Sequence, residues 1–250
     1  MRRGAARLDG ILLWEYLLRG KGAALVKRIY HGSVARIERP VFGAGNPAND
    51  YGLGFYCTES MDLACEWAVD DERDGFANAY DIQVAGLDVL DLGTDGACCD
   101  LQWLAVLLQN RTFDTASALA REAKDFLLEN FLPDYRDRDV IIGYRADDSY
   151  FAFAQDFISG GISYRQLGRA MRFGELGLQF VVKSRRAFER LEFVEAVAAR
   201  SDEWAARKRA RDAEARHAYL DAERHRRQRG DLFIAQIIDE EMTLDDPRLR

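Results

Sequence analysis

Long apolar runs are missing from this chain. Nowhere in its 250 residues is there the stretch of roughly eighteen apolar positions that a membrane-spanning helix needs. The stretch from Ile11 to Leu18 is broken by Glu15, which also spoils a signal-peptide core. Cysteine is scarce: the four fall at positions 57, 65, 98 and 99, two of them adjacent and none in a CxxC pair. That pattern builds no disulfide framework, so a reduced, cytoplasmic compartment is expected. The three histidines stand far from the cysteines and show no ligand spacing, so no metal is expected. An excess of positive charge is also missing. The net charge of −7 argues against binding nucleic acid by bulk electrostatics, although a local basic groove stays open. Neither a Gly-x-Gly-x-x-Gly fingerprint nor a P-loop occurs, and there is no internal repeat or low-complexity tract.

What is present suits a globular chain with one large core and an accessory segment, at 48% hydrophobic and 31% charged residues. Helical spacing predicts helices over 8–21, 61–72 (capped by Ser60, with Leu63, Ala64, Trp67 and Ala68 inward), 100–109, 115–131, 149–159, 163–171 and 185–192. Alternating or continuous apolar runs predict strands over 25–30, 80–84, 87–92, 140–144 and 178–182. Strands and helices mix without a βαβ alternation, so the expected class is α+β. Three parts are expected: an N-terminal helical extension over 1–24, a domain over 25–200, and a charged helical arm over 201–250. Within the arm, residues 203–229 are rich in Arg, Ala and Glu and read as a solvated helix, with an acidic partner or RNA as the other reading. Residues 231–242 regain apolar side chains that either dock on the core or bind a partner helix.

Two stretches organise the chain. Ile29-Tyr30-His31-Gly32-Ser33 ends one strand, and Asp50-Tyr51-Gly52-Leu53-Gly54-Phe55-Tyr56-Cys57-Thr58 begins the next. Between them lies a loop of turn formers, Gly43 to Asp50, so His31 and Tyr56 are expected to face one cleft. Taken singly, each has a plain structural reading. A lone histidine is ordinarily a hydrogen-bonded structural residue, and a tyrosine closing an apolar run is ordinarily a core aromatic. The glycines say more. Gly32 removes a Cβ beside His31, and Gly52 and Gly54 flank Leu53 where glycine is costly unless something approaches closely.

Tyr-His-Gly-Ser, followed by Asp-Tyr-Gly-Leu-Gly-Phe-Tyr-Cys-Thr with Ala64 and Trp67-Ala68 downstream, resembles the first two motifs of the ADP-ribosyltransferase superfamily. The chain looks most like a bacterial toxin-like domain family in that superfamily, formerly of unknown function and often encoded beside an antitoxin. Asp139 to Tyr150, Gly161-Ile162-Ser163, and Leu178-Gln179-Phe180-Val181 with Ala187 and Leu191 continue the likeness, which covers about residues 26–195. The resemblance implies a split β-sandwich that clamps NAD. It implies that His31 bonds the adenosine ribose, that the Gly32 backbone holds the nicotinamide carboxamide, and that Tyr56 stacks on the nicotinamide ring. Tyr51 becomes a second stacking platform, and Ser33 and Thr58 support the pocket by hydrogen bonds.

That chemistry suits these residue types. Cleaving the nicotinamide–ribose bond develops positive charge on the ribose, as glycoside hydrolysis does. A stacked ring and two backbone bonds hold the leaving group while the charge grows. A further polar group must grip the ribose 2′-hydroxyl. The family places a glutamate there; this chain has Gln179, whose neutral amide orients the hydroxyl but does not neutralise an oxocarbenium. Asp147, Asp148 and Glu175 are the other carboxylates in the similar region, with Asp147 favoured and a turn or helix cap as the plain reading of that pair. The expected activity is mono-ADP-ribosylation of a macromolecule, protein or nucleic acid, by the toxin of a bacterial toxin–antitoxin pair. The alternative is a catalytically silent NAD- or ADP-ribose-binding module that acts through protein contacts.

Overall fold

The computed structural model describes residues 25–93, 100–146, 148–171, 177–222 and 228–249. The expected helix over 8–21, Cys98, Cys99, and the candidate carboxylates Asp147 and Glu175 lie outside these residues. Two sheets form the frame. Strands β1 (Val26–Ser33), β3 (Gly75–Gln83) and β7 (Leu191–Ala199) pair antiparallel in the order β1-β3-β7. Strands β2 (Phe55–Cys57), β4 (Val89–Asp91), β5 (Val140–Tyr144) and β6 (Leu178–Val182) pair in the order β2-β6-β5-β4. Among the described residues only the β4–β5 pair is parallel. The sheets meet at an isolated antiparallel bridge, where Tyr30 and Thr58 exchange backbone hydrogen bonds of 2.8 and 2.9 Å. The class is α+β, as the mixed pattern predicted.

The second sheet is buried on both faces, which explains the unbroken apolar runs in β5 and β6. One face packs Cys57, Val140, Phe180 and Val182 against Ile29, Tyr80 and Ile82 of the first sheet. The other face, through Ile141 and Val181, meets the largest apolar cluster. That cluster comes from α2 (Asp100–Asn110), α3 (Ala118–Asn130), α4 (Asp148–Ile158) and α5 (Tyr164–Ala170). The C-terminal apolar residues join it: Leu232, α8 (Ile234–Asp239), Met242 and Leu249. The segment 231–242 therefore docks on the core.

Helix α1 (Met61–Ala68) lies on the outer face of the first sheet, started by Ser60, whose hydroxyl accepts from the Leu63 N–H. Small residues let it come close: Ala64 and Ala68 pack with Ala77 of β3, Ala199 of β7 and Ala205. A side chain at Gly32 would put its Cβ 2.2 Å from the Ala64 carbonyl oxygen. Ala205 belongs to α7 (Ser201–Ala222), the expected charged helix. It is tied down as well as solvated: Arg211 reaches Glu66, a carboxylate only 3% exposed, at 2.9 Å.

Two expectations need correction. The helix expected over 61–72 stops at Ala68, and the one over 185–192 is a single short turn, α6 (Arg185–Phe188), followed by β7. β7 hides its alternation behind small residues and a register shift opposite Ala79 and Tyr80. No described helix is long and apolar enough to cross a membrane.

Candidate functional site

The loop from Pro47 to Gly54 turns back on itself between β1 and β2. Gly52, with φ +73°, makes the turn that only glycine adopts freely. Tyr56 fastens it: its hydroxyl donates to the Gly52 carbonyl at 2.6 Å and accepts from the Tyr51 N–H at 3.0 Å. Burial pushes the Tyr56 phenol well above its ordinary value. With both hydrogen-bonding roles used and the proton held, the side chain offers its ring, not acid–base chemistry.

Two adjoining hollows share Tyr56 and Asn49. The larger, about 400 Å³, is also lined by Asp50, Trp67, Arg111, Arg145, Ala146, Gln179, Lys208 and Asp212. The smaller, about 270 Å³, lies under the turn-rich loop and includes His31, Phe55, Gly54 and Phe188. Hollows of this size suit a small organic ligand.

His31 sits in the smaller hollow against the Phe55 ring, with centroids 4.3 Å apart. Its Nδ1–H donates to the Tyr56 carbonyl at 2.7 Å. Burial lowers its pKa despite that bond, so the ring is neutral and Nε2 is left as an acceptor. Gly32 has two functions to reconcile. Its missing Cβ makes room for α1, not for a ligand. Its N–H and C=O project from the same strand edge as those of Tyr30, away from β3, because edges alternate along a strand. Ser33 accepts from Asn78 Nδ2 at 3.2 Å and donates to the Ala35 carbonyl at 2.6 Å, so it shapes the loop. Thr58 is buried, bridges Tyr30, and accepts from the Ser60 N–H at 3.2 Å. Tyr51 is a correction. It is 1% exposed, donates to the Tyr144 carbonyl at 2.6 Å and packs on Gly143, so it belongs to the core and lines neither hollow.

Gln179 is the most telling residue. It stands on β6 opposite Gly143, two residues from Val181, the partner of Tyr56, so Tyr56 and Gln179 are diagonal neighbours on one face. It is 6% exposed, lines the larger hollow, and its Oε1 has no hydrogen-bond partner among the described residues. A buried polar atom left unmatched is costly, which marks a place where a ligand donor fits.

Several lining residues escape sequence reasoning. Asp50, 4% exposed, accepts from Arg111 at 2.7 Å and from the Ala146 N–H at 2.9 Å. Burial raises its carboxyl pKa, against the pull of those partners. Arg145 lies over the Trp67 ring at 4.8 Å. Trp67, expected inward, instead faces the hollow. Arg145 directly follows a buried strand, a position that often reaches a ligand; Arg111, Lys208 and Asp212 carried no such signal. Among the described residues, no group of three or more His, Cys, Asp or Glu is placed to hold a metal ion.

No curated protein and no solved structure matches the chain. A family profile does, over residues 27–193, from β1 into β7, and it includes all of the hollow-lining residues except Lys208 and Asp212. The chain belongs to the DUF3990 family, proteins of unknown function.

Proposed function

We propose that the chain is a mono-ADP-ribosyltransferase that uses NAD to modify a macromolecule, with an ADP-ribosyltransferase-like split sandwich as its fold. The observation that carries this reading is Gln179: a buried amide with an unmatched acceptor, in a hollow that also presents the Tyr56 ring. In this reading Gln179 Oε1 accepts from the nicotinamide-ribose 2′-hydroxyl, and Tyr56 stacks on the nicotinamide. The Gly32 edge takes the carboxamide, and neutral His31, through Nε2, accepts from the adenosine ribose. The N-glycosidic bond breaks with its electron pair leaving on nicotinamide. A nucleophile of the acceptor adds to C1′ and gives up its proton. The resemblance to toxin domains extends the reading to the toxin of a bacterial toxin–antitoxin pair. Nicotinamide release from NAD, with target-containing lysate present, tests the reading: it is expected from the protein and not from Tyr56→Ala. Equal release from both overturns it.

A second reading has its own support. Gln179 is neutral, and Asp50, the buried carboxylate among the described residues of the same hollow, already serves Arg111 and Ala146. A pocket so equipped holds NAD or ADP-ribose without turnover and works through protein contacts. An NAD-dependent rise in melting temperature without nicotinamide release favours it.

A further inference from the structure

Two of the residues lining the larger hollow each carry a buried polar atom without a hydrogen-bond partner among the described residues, and the two atoms are of opposite kind. Gln179 Oε1 is an acceptor; Trp67 Nε1–H is a donor. The ligand that satisfies both must offer a donor at one point and an acceptor at another. The surroundings of Trp67 say which acceptor. The Arg145 guanidinium lies over its ring at 4.8 Å, and Arg111 and Lys208 line the same hollow. Two carboxylates oppose these three cations. Asp50 is already taken up by Arg111 and the Ala146 N–H, and Asp212 stands four residues from Lys208 on one face of α7. An indole N–H beside guanidinium groups suits an anion with several oxygens, which accepts from all of them at once.

The placement of Trp67 is built in by the sequence. It sits in the last turn of α1, and α1 lies close to β1 only because Gly32 has no side chain: a Cβ there would be 2.9 Å from Trp67 Cβ. The glycine beside His31 therefore sets the wall of the other hollow.

We infer that Trp67, Arg145 and Arg111 form a phosphate-binding subsite, so that the cleft selects a phosphorylated sugar or nucleotide whose hydroxyl reaches Gln179. The diphosphate of NAD is the occupant if the proposed function holds; the anion subsite itself does not depend on that activity. Trp67→Phe keeps an aromatic ring beside Arg145 and removes the N–H together with part of the indole, and Arg145→Gln removes the charge.

Calorimetric titration of ADP-ribose, nicotinamide riboside and inorganic pyrophosphate into the protein and both variants tests it. Each variant is expected to weaken ADP-ribose about tenfold, the order lost with one charged or charge-assisted hydrogen bond. Nicotinamide riboside, which has no phosphate, should bind both variants as it binds the parent. Variants that melt like the parent and bind ADP-ribose equally well overturn the subsite and leave the proposed function standing. Pyrophosphate binding without NAD or ADP-ribose binding supports the subsite and overturns the proposed function. No binding of any of the three overturns both. If a variant fails to fold, salt decides: ADP-ribose affinity of the parent should fall several-fold between about 50 and 200 mM salt, and constant affinity overturns the subsite.

Discussion

His31 and Tyr56 meet through a side chain and a backbone, not ring to ring: the His31 Nδ1–H donates to the Tyr56 carbonyl at 2.7 Å. That bond fixes the imidazole tautomer and ties the end of β1 to β2 just beside the Tyr30–Thr58 bridge. The two residues therefore line adjoining hollows while holding the two sheets together.

The pH dependence of stability follows from His31. Burial holds its folded-state pKa below the ordinary 6.5, outweighing the carbonyl bond that favours the charged form. A lowered pKa means that the folded protein prefers the neutral ring. This contribution is full above pH 6.5 and is lost as the pH falls from there through the folded value. Melting temperature measured from pH 8 down to 5 should fall more in the parent than in His31→Gln. Asp50 acts with the opposite sign, because burial raises its carboxyl from 3.8, and its window opens near that lower pH.

Gly32→Ala should destabilise through α1. The added Cβ lands 2.2 Å from the Ala64 carbonyl oxygen, an atom of a packed helix that cannot swing aside. Overpacking of this kind costs about 1–3 kcal/mol. A thermal melt should show a drop of several degrees, on the order of 2–4 °C per kcal/mol for a chain of this length. A melting temperature equal to the parent's would show that α1 can shift freely.

Tyr56→Phe should separate structure from binding. It removes the hydroxyl that bonds Gly52 and Tyr51, leaving a buried carbonyl and N–H unmatched at a cost of about 1–3 kcal/mol. It keeps the ring. Stability should fall while NAD affinity stays within a few-fold of the parent; a larger loss of affinity would mean that the hydroxyl touches the ligand.

Arg211→Ala should loosen α7. Glu66 is 3% exposed and Arg211 is its cation at 2.9 Å. Leaving a buried carboxylate without its partner costs about 3 kcal/mol, the lower end of the range because Arg211 is itself partly solvated. Denaturant melts should show that loss, and hydrogen exchange in 201–222 should quicken. Unchanged exchange would mean that Ala205 and its alanine neighbours hold the helix alone.

Much of the frame is legible in the sequence for local reasons. Ser60 caps the helix it was expected to cap, the helix expected over 163–171 forms behind Ser163, and the unbroken run Val140–Tyr144 is a strand buried on both faces. β7 was not legible, because alanines and two glutamates on an edge strand mimic a helical surface, and a bulge breaks the period. The cleft splits in the same way. Tyr56 and Gln179 line the larger hollow, and His31 the adjoining one. Asp50, Arg111 and Arg145 meet only through contacts across sixty to a hundred residues, such as Asp50 with Arg111 and Ala146. No local pattern encodes such a meeting. Tyr51 misled because the same Tyr-Gly pattern suits a stacking platform and a buried anchor alike.

Gln179 is where the reading of this cleft can be tested most directly. NAD titrated calorimetrically into the protein and into Gln179→Ala should bind the parent saturably. It should bind the variant about tenfold more weakly, the order expected when one buried hydrogen-bond partner is removed. No saturable NAD binding by the parent, or equal binding by a variant that melts normally, would contradict the proposed NAD cleft.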